Sequence, residues 1–147
     1  MKKILVGSVV FIAVFLIGKF GIAQDFQTSD LEGTWYAYLM ETNPVDGTYW
    51  LYGSFTIDDA GNITGGSYTA PDSTVVNITG GTATLDADGL MAGTIVAEGG
   101  LTGTFPSGKL NADKTVIGFV GSDINNSLDL GIAIKGGGSF ATSDLEG

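Results

Sequence analysis

Aromatic side chains are the residues of this chain best able to form a binding site. Seven of them are concentrated between positions 35 and 55, and Tyr68 follows shortly after. Aromatic rings offer a large contact area and lose little conformational entropy on binding. We therefore expect a surface that recognises a small ligand, a glycan or a peptide. The candidate binding residues are Trp35, Tyr36, Tyr38, Trp50, Tyr52 and Tyr68.

The same aromatic residues also have a purely structural interpretation. Alternation along a strand places Trp35 and Leu39 on one face and Tyr36 and Tyr38 on the other. Only one of these faces can line a core. The second face can form cross-strand pairs that stabilise a hairpin, each by about 0.2–1 kcal/mol, or it can be buried against a neighbouring unit.

Residues suited to catalysis and metal binding are scarce. The chain has no histidine and no cysteine, and all six basic residues are lysines. Serine-histidine and cysteine-histidine nucleophile systems, thiolate or imidazole metal sites and arginine clamps for phosphate are therefore excluded. Most acidic residues lie in turn-like segments rather than as the facing pair of a glycosidase. We expect no catalytic residue, no cofactor and no metal site.

Two short motifs resemble known ligand loops only in part. Leu85-Asp-Ala-Asp-Gly89 resembles the opening of a calcium loop, but the bidentate glutamate and the flanking helices are missing. A hairpin turn explains it fully. Gly103-Thr-Phe-Pro-Ser-Gly-Lys109 has the spacing of a phosphate-binding loop, but Leu110 stands where serine or threonine is needed.

The first 23 residues predict a secretory signal peptide. A basic start precedes an apolar run over 4–17, and small residues occupy Gly21 and Ala23. The run is shorter than the roughly 18–20 residues of a membrane-spanning helix. The remainder, 24–147, has three lysines and sixteen acidic residues, a net charge of −13. We expect export to the periplasm, the cell surface or the medium, with no nucleic-acid partner and no stable membrane insertion.

An eight-residue segment occurs twice in the chain. Phe26-Gln-Thr-Ser-Asp-Leu-Glu-Gly33 returns 114 residues later as Phe140-Ala-Thr-Ser-Asp-Leu-Glu-Gly147. Self-similarity at a fixed spacing is typical of tandem repeats. We therefore predict one β-barrel repeat unit over 24–141 and the truncated start of a second at 142–147, which makes neighbouring repeat units expected partners.

The pattern after residue 23 indicates an all-β fold. Short stretches alternate between apolar and polar residues, and Asp, Asn and Gly separate them as in tight turns. Short connections favour an antiparallel up-and-down meander, which can close into a small eight-stranded barrel without exposed edges. An open, stacked array of hairpins is the alternative. The expected strands are 34–41, 48–58, 62–70, 75–86, 89–98, 100–110, 114–122 and 127–135.

Two rows of apolar residues are expected to face the core, and two glycine pairs are expected to bend the sheet. The pairs are Gly65-Gly66 and Gly80-Gly81, which lie inside predicted strands. On the last strand, Asp129 and Lys135 are expected to point outward. The inward rows are Tyr49, Leu51, Phe55 and Ile57 on the second strand, and Leu128, Leu130, Ile132 and Ile134 on the last.

Gly33-Thr-Trp-Tyr36, the later Asp59-Ala-Gly-Asn-Ile-Thr-Gly65 and Tyr68 resemble the first three strands of avidins. The Gly-x-Trp element also resembles lipocalins, and both families belong to the calycin barrels. The resemblance implies an eight-stranded barrel and extends to the Gly/Thr-rich repeat modules of exported bacterial proteins.

The avidin ligand residues are not matched. Ala37 stands in place of the avidin asparagine, and Glu41 and Ala70 stand in place of two serines. The later wall tryptophans are absent. The resemblance therefore argues against biotin. Lipocalins also pair the first-strand tryptophan with an arginine of the last strand, and this chain has no arginine.

These observations together predict a non-enzymatic, exported binding or surface module. One alternative is a structural spacer of a tandem-repeat surface protein, with the aromatic face buried between units. A second is a small outer-membrane barrel, although many candidate outward positions are polar or glycine rather than a continuous apolar band.

Overall fold

The computed structural model describes residues 25–45, 47–123 and 127–137. About two thirds of them belong to eight strands, and every predicted strand is present with ends that differ by no more than two residues. The predicted signal peptide and the second repeat start at 142–147 lie outside the described residues. The strands are β1 Gly33–Asn43, β2 Gly47–Ile57, β3 Ile63–Thr69, β4 Val75–Leu85, β5 Leu90–Ala97, β6 Thr102–Leu110, β7 Val116–Asp123 and β8 Leu128–Lys135.

The sheet is a closed antiparallel barrel. Each strand pairs with the next one along the chain, and β8 returns to pair with β1. The closing register runs from Trp35 opposite Lys135 to Thr42 opposite Leu128. The predicted up-and-down barrel is confirmed, and the open array of hairpins is wrong. Closure gives every strand two hydrogen-bonded neighbours and leaves no edge for association with other chains.

Aspartate side chains hold the turns at one end of the barrel. The Asp58 carboxylate accepts bonds from the backbone N–H groups of Ala60 and Asn62, at 3.1 and 2.7 Å. The side-chain hydrogen bond from Asn62, together with these backbone bonds, lowers the pKa of Asp58 below its ordinary value. Asp86 accepts equivalent bonds from Asp88 and Leu90. The segment that resembled a calcium loop is therefore a hairpin turn.

Glycines bend the sheet inside two strands. Gly66 and Gly81 both have φ of +146°, a conformation that residues with a Cβ rarely adopt. A Cβ on Gly66 would lie 2.1 Å from the Ser54 carbonyl oxygen, and one on Gly81 would lie 2.1 Å from the Thr94 carbonyl oxygen. The predicted glycine bends thus permit both the backbone angle and the close approach of neighbouring strands.

A short 3₁₀ helix that the sequence did not predict, Thr28–Leu31, packs across one end of the barrel. Leu31 and Trp35 are completely buried there, and the Trp35 indole N–H donates to the Leu31 carbonyl oxygen at 2.7 Å. We call this the closed end. In the described ranges, no helix is long and apolar enough to span a membrane. The other large side chains buried near the closed end include Ile57, Ile63, Leu85, Leu110 and Ile117.

Two lysines fasten the 3₁₀ helix to the barrel. Lys114 forms a 2.8 Å salt bridge with Asp30, and Lys135 donates to the Asp30 carbonyl oxygen at 2.9 Å. Burial acts to raise the pKa of Asp30, but the hydrogen bond from Lys114 and the nearby positive charges outweigh it and lower that pKa. The Lys135 ammonium also lies 5.5 Å from the centre of the Trp35 ring. A last-strand lysine therefore contacts the first-strand tryptophan where lipocalins use an arginine.

The predicted orientation of β8 is wrong. Leu128, Leu130 and Ile132 are 67, 59 and 45 % exposed, and Asp129 and Ala133 face the interior instead. The pairing with β1 explains the inversion. Lys135 lies opposite Trp35, so the strand face that carries Lys135 and Ala133 must point inward with the tryptophan. By contrast, the predicted inward row on β2 is confirmed, since Leu51, Phe55 and Ile57 are buried.

Candidate ligand-binding cavity

The half of the barrel interior away from the closed end is not filled by side chains. It contains a cavity of about 330 Å³. An eight-stranded barrel is just wide enough for its own side chains to fill it or for one small ligand to be held. The residue sizes at inward positions decide between these cases. Small residues of this half that line the cavity are Ala37, Gly53, Gly103, Gly121 and Ala133.

Aromatic rings form part of the cavity wall by lying against glycines of the neighbouring strand. A Cβ on Gly131 would be 2.3 Å from the Phe119 ring, and a Cβ on Gly93 would be 2.3 Å from the Phe105 ring. The two rings contact each other in a tilted arrangement, with centres 6.0 Å apart. Because each ring lies where a neighbouring side chain would otherwise be, it covers the glycine of the adjacent strand.

Polar side chains line the cavity at the end opposite the 3₁₀ helix. The Tyr49 hydroxyl donates to the Glu41 carboxylate at 2.6 Å, and the Asn43 amide donates to the Tyr49 hydroxyl oxygen at 3.2 Å. Glu41 is only 9 % exposed. In the strand register it lies opposite Tyr49 on β2 and Asp129 on β8. Two carboxylates on adjacent strands therefore line the same end of the cavity, which we call the polar end.

The polar end reaches solvent and is separated from the lysines. Pro71 and Leu101 are exposed and also line the cavity, which places its mouth beside the turns that contain them. Lys114 and Lys135 contact Asp30 at the closed end, and Lys109 donates to the Asp88 carbonyl at that end. The three described lysines therefore contact groups at the closed end, away from the two carboxylates. Such an arrangement produces a negative potential that favours cations.

The described part of the chain contains no group of three or more acidic side chains placed to hold a metal ion. At the polar end, the cavity wall contains two neutral groups beside Glu41 and Asp129, namely the Tyr49 phenol and the Asn43 amide. A calcium ion takes about six to eight oxygen ligands, mostly carboxylates and carbonyls, and a phenol is not among the usual ones. The geometry therefore suits a hydrogen-bonding organic group better than a bare cation.

The six candidate binding residues of the sequence do not form one site. Trp35 is part of the buried closed end and does not line the cavity. Tyr68 does line it. The side chains of the remaining four are half-exposed or more on the outside of β1 and β2, where the Tyr38 and Tyr52 rings stack with centres 6.3 Å apart. These four are Tyr36, Tyr38, Trp50 and Tyr52.

The positions singled out by the avidin resemblance lie closer together than the aromatic residues do. Ala37, Glu41, Tyr68 and Ala70 all line the cavity. Sequence reasoning did not select Glu41 or Asp129 as binding residues. The signal that could have found Glu41 is the inward alternation of β1 from Trp35, which brings a polar residue to the inward face near the end of the strand.

No protein-family model and no curated protein matches the chain. Solved structures of designed barrels do. A redesigned β-barrel superposes with a TM-score of 0.59 at 19 % identity, covering 79 % of this chain and 98 % of its own. A redesigned barrel bound to DFHBI superposes with a TM-score of 0.54 at 15 % identity, covering 72 % of this chain and 99 % of its own. A de novo designed fluorescence-activating barrel superposes with a TM-score of 0.53 at 13 % identity, covering 78 % of this chain and 96 % of its own. At these identities the likeness shows the fold alone.

Proposed function

We propose that this protein is a non-enzymatic, exported binding module that holds a small ligand inside its barrel. The observation that supports the proposal most strongly is the unfilled half of the interior. Its volume of about 330 Å³ lies within the roughly 300–1,000 Å³ of small-molecule pockets. Its lining also has the usual composition, with mostly apolar walls and a few polar groups at one end.

Stability alone does not account for the small residues in this half. Fully burying a leucine or isoleucine side chain stabilises a protein by about 1.5–3 kcal/mol, so a barrel optimised for stability would carry large residues there. The closed end does so, with Trp35 and Ile57 completely or almost completely buried. The other half has Ala37, Gly103 and Ala133 instead, and a Cβ on Gly103 would meet no atom within 4 Å. This contrast favours a space kept for a ligand.

The charge of the polar end indicates which ligands fit best. A carboxylate removed from water needs hydrogen bonds or a positive partner. Tyr49 supplies one hydrogen bond to Glu41, and a ligand that carries a protonated amine would supply the charge. We therefore propose a ligand with an apolar, preferably aromatic body and an ammonium group. The designed barrel that is bound to DFHBI is a protein of the same fold with a small-molecule ligand.

Filling the cavity from within is expected to abolish ligand uptake. Gly103 lines the cavity, and a Cβ at this position meets no atom within 4 Å, so Gly103→Leu should place its side chain in the open space. We expect the affinity for N-phenyl-1-naphthylamine, a neutral dye, to fall by about tenfold or more, equivalent to about 1.4 kcal/mol. Fluorescence titration measures it.

The matched control for this variant is Gly118→Leu. Gly118 is also within a strand and also has open space around its Cβ, but it does not line the cavity. The control should bind the dye as the unchanged protein does. Equal affinities for all three proteins would contradict binding inside the barrel.

Neutralising one carboxylate is expected to separate cationic from neutral ligands. Glu41→Gln keeps an oxygen that can accept the Tyr49 hydroxyl but removes the charge. We expect 1-naphthylmethylamine to bind about tenfold more weakly to the variant, while the isosteric alcohol 1-naphthalenemethanol changes by less than about twofold. Isothermal titration calorimetry with both compounds provides the comparison. An equal loss of affinity for the amine and the alcohol would contradict recognition of the positive charge, because it would mean that the carboxylate only maintains the shape of the site.

A further inference from the structure

The outside of the barrel carries large apolar side chains on four adjacent strands. We call the outward side chains of β7, β8, β1 and β2 the apolar face. Each of its largest members is between 45 and 67 % exposed. They are Tyr36, Tyr38, Trp50, Tyr52, Val120, Leu128, Leu130 and Ile132.

The strand register makes these side chains one continuous surface. Leu130 of β8 lies between Val120 of β7 and Met40 of β1, and Met40 in turn lies opposite Trp50 of β2. In the next row, Ile132 is opposite Tyr38, which is opposite Tyr52. The other half of the barrel differs, since its exposed outward positions are mostly polar, as at Thr79, Thr82, Thr84 and Thr104.

The area of the apolar face is large enough for a stable protein contact. An aromatic side chain has about 150–250 Å² of surface, so eight large side chains that are about half exposed present on the order of 800 Å². A standard interface buries about 800 Å² on each partner, whereas the largest patch on a typical monomer is about 300–600 Å². The face therefore matches one side of a dimer interface.

Charge and composition favour a second copy of the same chain as the occupant. Residues 24–147 carry a net charge of −13, yet the outward described positions of these four strands include no charged residue. Two copies therefore repel each other least when they approach through this face. The face also has two unlike halves, aromatic on β1 and β2 and aliphatic on β7 and β8. A two-fold axis that runs parallel to the strands along β1 would place the β2 side of each copy on the β8 side of its partner, and so Trp50 on Leu130.

We propose that the apolar face is the interface of a two-fold dimer of this chain, in which the Trp50 side of one copy packs on the Leu130 side of the other. This dimer is independent of ligand binding, because the face lies outside the barrel and the cavity lies within it. The dimer leaves the cavity mouth beside Pro71 and Leu101 uncovered in both copies, because those residues follow β3 and β5 rather than the strands of the apolar face.

Sedimentation velocity on the exported protein tests the proposal. We expect a concentration-dependent dimer in the micromolar range, and we expect Leu130→Lys to weaken dimerisation by about tenfold or more. The control Thr82→Lys adds the same charge at an exposed position of the opposite half and should leave the dimer unchanged. A monomer at about 100 μM, equal weakening by both variants, or association with lipid vesicles in place of dimerisation would overturn the proposal.

A mixing experiment tests the orientation of the two copies. Trp50→Glu and Leu130→Lys should each weaken the homodimer, because each places a charge against apolar side chains. In a mixture, the new glutamate of one chain meets the new lysine of the other, and the second half of the interface keeps its original residues. We expect the mixed dimer to form at least about tenfold more tightly than either variant homodimer. Failure of the mixture to associate would overturn the packing of Trp50 on Leu130.

Discussion

Replacement of Trp35 by alanine should lower the free energy of unfolding by about 3–5 kcal/mol. Trp35 is completely buried, its indole N–H donates to Leu31 at 2.7 Å, and its ring lies 5.5 Å from the Lys135 ammonium. The substitution therefore creates a cavity and releases the 3₁₀ helix that covers the closed end. Chemical denaturation followed by circular dichroism measures the loss.

The chain supplies its own control for this prediction. Trp50, the only other tryptophan, is 66 % exposed on the apolar face. At protein concentrations too low for association, Trp50→Ala should change the free energy of unfolding by no more than about 0.5 kcal/mol. Similar losses for the two variants would contradict the assignment of Trp35 to the core and Trp50 to the surface.

Replacement of Gly66 by alanine is expected to have the second largest effect. Gly66 has φ of +146°, and the added Cβ would lie 2.1 Å from the Ser54 carbonyl oxygen and 2.7 Å from the Phe55 Cα. Both atoms belong to the backbone of the adjacent strand, so they cannot move away without breaking the β2–β3 pairing. We expect a loss of about 3 kcal/mol, from backbone strain and steric overlap together.

Gly118→Ala is the matched control for the glycine prediction. Gly118 also lies within a strand, but its φ is ordinary and a Cβ meets no atom within 4 Å. Alanine should therefore be neutral there, or stabilise by up to about 1 kcal/mol because glycine loses more entropy on folding. Thermal unfolding of both variants gives the comparison. Equal destabilisation would show that the bend at Gly66 does not depend on glycine.

The strands and their order could be predicted because their signals are local. Period-two alternation and turn residues such as Asp58 and Asp86 mark the strand ends, and short connections leave only neighbouring antiparallel pairs. Closure then follows from the need to pair both edges. The 3₁₀ helix at 28–31 was missed because its stability comes from distant partners, Lys114 and Lys135, which no local pattern reveals.

The site could be predicted only in part because alternation identifies two faces without saying which is inside. Alternation predicts that the apolar side chains of β8 point inward, but the pairing of Lys135 with Trp35 turns them outward and brings Asp129 to the cavity. The aromatic residues of β1 and β2 likewise alternate along each strand, so some face the barrel interior and others lie on its outer surface. Size was the more informative property, since small inward residues such as Ala37 and Gly103 leave the space that side chains elsewhere fill.

Methyl NMR titration with N-phenyl-1-naphthylamine tests most directly whether a small molecule enters the barrel. Methyl groups of Ala37, Ile78 and Ala133 line the cavity, whereas those of Leu130 and Ile132 lie on the outer apolar face. Binding inside the barrel predicts large shifts for the first three and none for the other two. Shifts confined to Leu130 and Ile132 would contradict a ligand-binding interior.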